Sequence, residues 1–131
     1  MKRKVIIFTV VALFCLLCYS MFFNGFIGVK SITIQESDKS FEDGKKTADK
    51  EIIGTVSGIL NRSNKITNTH YSLAIDSTYK IQLVYKDNDK EVLYFYEGFD
   101  TNETLIASDI SNDYYKINEK QTKKIIQLLL N

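Results

Sequence analysis

Tyr79-Lys80-Ile81-Gln82-Leu83-Val84-Tyr85-Lys86-Asp87-Asn88-Asp89-Lys90-Glu91-Val92-Leu93-Tyr94-Phe95-Tyr96 is the stretch that decides the fold. Ile81, Leu83 and Tyr85 alternate with Gln82, Val84 and Lys86, the period of two that turns one face of a strand toward a core. The polar run Lys86 to Lys90 reads as a hairpin turn, and Val92 to Tyr96 as the returning strand with substantial side chains on both faces. Strands joined this closely pair antiparallel.

Outward from this hairpin the pattern continues. Tyr71, Leu73 and Ile75 alternate with Ser72, Ala74 and Asp76, and Ser31 to Gln35 alternates in the same way, so both are expected to be strands. Thr104 to Ala107 is a weaker strand and Tyr114 to Ile117 a short last one. Between them the period changes. Thr47 to Glu51 suits a helix start, and Ile52, Ile53, Val56, Ile59 and Leu60 then share one arc of a helical wheel, with Gly54 and Gly58 opposite. Asn61 to Asn64 ends that helix. At the C-terminus Asn118 suits an N-cap, with Gln121 three residues on in a capping-box position. Ile125, Ile126, Leu128, Leu129 and Leu130 make its apolar arc, and Lys123, Lys124 and Gln127 its polar one. The order predicts an α+β class: a small antiparallel sheet with two helices packed on one face.

Ahead of this domain, Val5 to Val29 carries no charge and Met1-Lys2-Arg3-Lys4 precedes it. The run is longer than the roughly 7–15 apolar residues of a cleaved signal, and bulky Met21-Phe22-Phe23 stands where such a signal has small residues. Neither Cys15 nor Cys18 follows the small residues a lipoprotein signal requires. The expectation is an N-terminal transmembrane helix acting as an uncleaved signal anchor, oriented by the basic residues. Tyr19, Phe22, Phe23 and Phe26 would form an aromatic belt at its far end. The domains are then a cytoplasmic basic tail over residues 1–4, a transmembrane signal anchor over residues 5–27 and an extracytoplasmic α+β domain over residues 30–131. The location that follows is the cell membrane, single-pass, with the N-terminus cytoplasmic.

With the three basic residues at the start set aside, fourteen of the seventeen Lys and Arg face sixteen Asp and Glu. A mildly acidic domain without a basic patch does not suit nucleic acid. Both cysteines lie in the apolar run, so the domain beyond it has neither disulfide nor thiol.

The second half resembles the YhfM-like domains of membrane-attached proteins and lipoproteins of Gram-positive bacteria. The residues that carry the resemblance are Tyr79 to Asp87, Glu91 to Tyr96, and Tyr115-Lys116-Ile117-Asn118 leading into Gln121 to Lys124. It covers roughly residues 50–131. The resemblance implies paired strands, a closing strand that runs into a terminal helix, and an extracytoplasmic location; the family supplies no established activity. Its members commonly begin with a lipobox; this chain has no good one, a departure from the family pattern that bears on lipid anchoring.

No motif names a chemistry. His70 is the only histidine and has no metal- or triad-type partner in sequence. Asp87 to Glu91 starts like a calcium loop, but Val92 stands where glycine is needed and Gly98 where the closing Glu belongs. No catalytic residue, metal ligand or cofactor is expected, and the reading is that of a protein that is not an enzyme. Carboxylates are numerous, none in a recognisable acid/base pair, and folding could bring any two of them together unseen. One patterned feature remains. Between Lys90 and Lys116 there is no basic residue, while acids and aromatics interleave, giving Tyr94, Tyr96, Glu97, Phe99, Asp100 and Glu103 as candidate binding residues. The expected function is a non-enzymatic, membrane-anchored extracytoplasmic binding or sensing module, its partner an envelope protein or a cationic peptide. The alternatives are an immunity-type protein sequestering a cationic antimicrobial peptide, and a small hydrolase.

Overall fold

Seven strands form one antiparallel sheet in the computed structural model, which describes residues 2–21 and 23–131, the side chains of residues 19–21 excepted. They are β1 (Val29–Glu36), β2 (Lys45–Thr47), β3 (Asn64–Ile66), β4 (Tyr79–Tyr85), β5 (Lys90–Asp100), β6 (Glu103–Ser108) and β7 (Tyr114–Asn118). The helices are α1 (Lys2–Met21), α2 (Lys50–Asn61) and α3 (Glu119–Leu130). Across the sheet the order is β2-β1-β4-β5-β6-β7-β3. The β4–β5 hairpin pairs Ile81 with Leu93 and Leu83 with Glu91. Its turn closes through Asn88 at φ 71, a left-handed conformation that Asn tolerates better than most residues.

One sheet face carries Ile32, Ile34, Ile81, Leu83, Leu93, Phe95, Ile106, Tyr115 and Ile117, all buried. Ile53, Val56, Ile59 and Leu60 of α2, with Ile125 and Leu129 of α3, close this core. Helix α2 packs on both β1 and β7, which stand four places apart in the sheet. In a flat sheet, strands four places apart lie about 19 Å from each other, wider than a helix of about 10–12 Å. The sheet therefore curls around its helices.

Side-chain caps fix the helix starts. Asp49 accepts from the amides of Glu51 and Ile52 at 2.9 and 3.1 Å and begins α2. Asn118 accepts from the Gln121 amide at 2.8 Å while Gln121 accepts from the Asn118 amide at 3.0 Å, a reciprocal box at the start of α3. At the end of α2, buried Asn61 accepts from the Phe26 amide at 2.7 Å and donates to the Phe26 carbonyl at 3.0 Å. Asn24 donates to the carbonyls of Leu60 and Ser63 nearby. This clasp seats Phe26 in the core, edge-on to Tyr115 at 5.1 Å.

The expected architecture needs correction. Among the described residues the sheet is larger than expected, with seven strands, and no helix is long and apolar enough to cross a membrane. Helix α1 begins with three basic residues, so its apolar part is Val5 to Met21. At 1.5 Å per residue that described stretch rises about 26 Å, against a hydrocarbon core of roughly 30 Å. Positive φ at Gly25 and Gly28 (87 and 71) turns the chain away from a helical path beyond it. Phe22 and the side chain of Tyr19, half of the expected aromatic belt, lie outside the described residues, as does Met1 of the expected basic tail. Phe26 belongs to the core instead.

Residues 71–75 form no strand; they belong to a loop over residues 67–78 laid across the second face of the sheet. Tyr71 packs edge-on against Phe99 and Tyr114, centroids 5.2 and 4.9 Å away. The alternation there reflects side chains leaning on a sheet without joining it.

Candidate functional site

Register brings together three groups that sequence separates. Glu91 of β5 faces Leu83 across β4, and Leu93 faces Ser108 across β6. Tyr85 and Ser108 are therefore diagonal neighbours of Glu91 on the core-facing side of the sheet. The Tyr85 hydroxyl donates to Glu91 Oε1 at 2.7 Å, and the Ser108 hydroxyl donates to Oε2 at 2.5 Å. Glu91 is only 5% exposed, so a carboxylate has been carried to the end of the core and both its oxygens are answered by hydroxyls.

The surroundings tune this trio. Burial, then the bond to Glu91, raises Tyr85 well above the ordinary tyrosine range, so it stays a protonated donor. Burial also raises Tyr115, opposed by its bond to Ser111. The backbone amide of Ile110 donates to Ser108 Oγ at 3.3 Å. Two openings flank the trio. Ser108 lines a groove of about 490 Å³ together with His70, Ser111, Asp113 and Tyr114. Tyr85 and Glu91 line a cleft of about 580 Å³ under the Gly25 to Gly28 segment, with Lys86 at its rim.

This arrangement has the parts of an activated nucleophile: a hydroxyl within hydrogen-bond reach of a base, and a third group orienting the base. Among the described residues no cluster of His, Cys, Asp and Glu could hold a metal ion. Sequence reading passed over the trio, since Glu91 looks like one more acid in an acidic stretch. The available signal was Glu91 falling on the inward parity of β5, with Leu93 and Phe95, where an acid needs partners.

The six expected binding residues lie along β5 and at the start of β6. Tyr94 and Tyr96 line a cleft on the second face of the sheet. Glu97 accepts from the Thr78 hydroxyl. Gly98, at φ 73, falls within the register shift between Glu97 and Asp100, and Phe99 beyond it packs on Tyr71. Asp100 accepts from the Thr101 amide in its own turn. Glu103 pairs with Lys116 at 3.5 Å, and that ammonium also stands 5.7 Å from the Phe99 ring centre. Folding thus returns a cation to a segment that has none in sequence. His70 is exposed in the loop over residues 67–78 and shares a groove with Ser108.

No family model matches the chain, and no curated protein matches it. Among solved structures, a thioesterase-like protein from Clostridium sporogenes matches with a TM-score of 0.53 and 20% identity, over 79% of this chain and 95% of that one. The likeness is one of fold: an antiparallel sheet with its helices. It corrects the expected membrane-anchored extracytoplasmic binding module, and with it the single-pass location and the immunity-type alternative built on that anchor. The fold is similar to that of the thioesterase-like protein, and among the described residues no helix is long and apolar enough to cross a membrane. The likeness does not bear on the YhfM-like resemblance.

Proposed function

We propose that the chain is a hydrolase of acyl thioesters or esters, with Ser108 as nucleophile and Glu91 as its base. One observation carries the reading: the Ser108 hydroxyl donates to a buried carboxylate whose other oxygen is held by Tyr85. The name of the structural neighbour, thioesterase-like, is in keeping with it. In the proposed course, Ser108 Oγ bonds to the acyl carbon while its proton passes to Glu91. The carbon–sulfur or carbon–oxygen bond then breaks, Glu91 hands its proton to the departing sulfur or oxygen, and the thiol or alcohol leaves. Water, deprotonated by the freed Glu91, bonds to the acyl carbon; the bond to Ser108 Oγ breaks, Glu91 returns the proton to that oxygen, and the carboxylic acid leaves. Tyr85 is a positioning residue, fixing the carboxylate without touching substrate. The opposing reading, a protein that is not an enzyme, takes the same trio as a structural cap on a buried acid.

Turnover of acyl coenzyme A thioesters and p-nitrophenyl acyl esters by the full chain separates the two. Thioester loss is best followed by its own ultraviolet absorbance, because Cys15 and Cys18 would consume a thiol-trapping reagent. Ser108→Ala and Glu91→Gln are each expected to lower kcat at least about 100-fold. A trapped acyl group on Ser108, seen by mass, would support the nucleophile. Absence of turnover above buffer across both panels, or full activity in both folded variants, overturns the proposal.

A further inference from the structure

The aromatic pair Tyr94 and Tyr96 is not used by the site at Ser108. Both stand on the opposite parity of β5 from Glu91, Leu93 and Phe95, and so face the other side of the sheet. There the loop over residues 67–78, twelve residues without regular structure, passes over them. That length is at the upper end of what compact domains use, where binding loops are among the usual cases.

The loop is pinned at both ends and stands off in the middle. Tyr71 holds one end between Phe99 and Tyr114. At the other, the Thr78 amide donates to the Phe95 carbonyl at 2.9 Å, and Ser77 donates to Ser37 at 2.7 Å. Between the pins a cleft of about 560 Å³ remains, with Tyr94 and Tyr96 as floor, Leu73 and Ile75 as wall, and Asp38 and Asp76 at the rim. Ile75 is 41% exposed, an apolar side chain left facing water at the cleft mouth.

Charge decides what this shape would accept. Among the described residues neither Asp38 nor Asp76 makes a salt bridge, and the cleft lining contains no basic residue. The nearby cations are engaged elsewhere. Lys39 pairs with Glu36 at 2.8 Å, and Lys80, the cross-strand neighbour of Tyr94, holds its ammonium 4.6 Å from the Phe41 ring centre. Burial raises the Tyr96 pKa, with Tyr94, Tyr114 and Asp76 adding to the shift, so its ring stays neutral beside that carboxylate. Aromatic faces attract cations, and most strongly where water is partly excluded. A carboxylate at the rim adds attraction for the same charge, and the apolar wall favours a hydrocarbon body behind it.

We propose that the Tyr94–Tyr96 cleft binds a small organic cation, an alkyl- or arylammonium, at a site separate from Ser108. The inference is independent of the hydrolase reading. Phenethylammonium, with 2-phenylethanol as its neutral counterpart, can be titrated into the isotope-labelled full chain and followed by amide shifts. Saturable shifts confined to Leu73–Thr78 and Tyr94–Glu97 are expected, with the cation binding several-fold more tightly than the alcohol. Tyr96→Leu should weaken it about tenfold and Asp76→Asn about two- to fivefold. Asp76 is exposed, so the second variant keeps the fold even if the first does not. Ser108→Ala should bind the cation as the native chain does. Equal binding of the alcohol, shifts centred elsewhere, or unchanged affinity in a well-dispersed Asp76→Asn spectrum overturns the proposal.

Discussion

Asn61 pairs with the chain across 35 residues of sequence, matching its amide to both backbone groups of Phe26 much as a neighbouring strand would. The side chain is 7% exposed and Phe26 3% exposed, so water is poorly placed to replace either bond. Asn61→Ala should therefore cost about 2–4 kcal/mol, the sum of two unanswered backbone groups and the loosened Phe26 contact. Urea midpoints read this directly, and a loss under about 0.5 kcal/mol would show that the segment repairs itself. In sequence Asn61 reads only as the end of a helix, and Asn24 only as an interruption of an apolar run. Their meaning comes from a long-range meeting that local pattern does not encode. Glu91 is similar: its inward parity was legible, but not the two hydroxyls brought to it by β4 and β6.

At the scale of elements, legibility follows length and periodicity. β4 and β5 could be read because seven and eleven residues with alternating burial give a strong signal. β2 and β3 have three residues each, too few to show a period, and lie at the two edges of the sheet. The loop over residues 67–78 misleads because Tyr71 and Leu73 are half-buried while Ser72 and Ala74 are exposed, a strand's alternation without a strand's hydrogen bonds. Capping is local, so the α3 start is legible from Asn118 and Gln121 alone. Asn118→Ala should cost about 1 kcal/mol, whereas Asn118→Asp, which keeps the acceptor, should cost at most a few tenths. Equal losses in the two variants, measured by denaturant midpoints, would mean the reciprocal box contributes little to α3.

Across the whole molecule, the helices on one face of the sheet and the loop over residues 67–78 on the other bury tyrosines from three different strands close to acids. Tyr85, Tyr96 and Tyr115 are all raised, chiefly by burial. In the unfolded chain a tyrosine loses its proton near pH 10. Above that value the unfolded state binds fewer protons than the folded state, so stability falls as pH rises. Below it, both states keep the tyrosine protons and these groups add no slope. Stability should accordingly be level in this respect to about pH 9 and decline from about pH 10 upward. Each buried ring contributes at most about 1.4 kcal/mol per pH unit, less where solvent reaches the ring edge. Lysines titrate in the same range, so the comparison that isolates the effect is Tyr85→Phe against the native chain. The variant should be less stable at pH 8, because Glu91 loses a donor, yet its urea midpoint should fall less steeply between pH 10 and pH 11. Parallel midpoint curves through that interval would show that Tyr85 ionises in the folded protein as freely as in water, and that the Glu91 site is open to solvent.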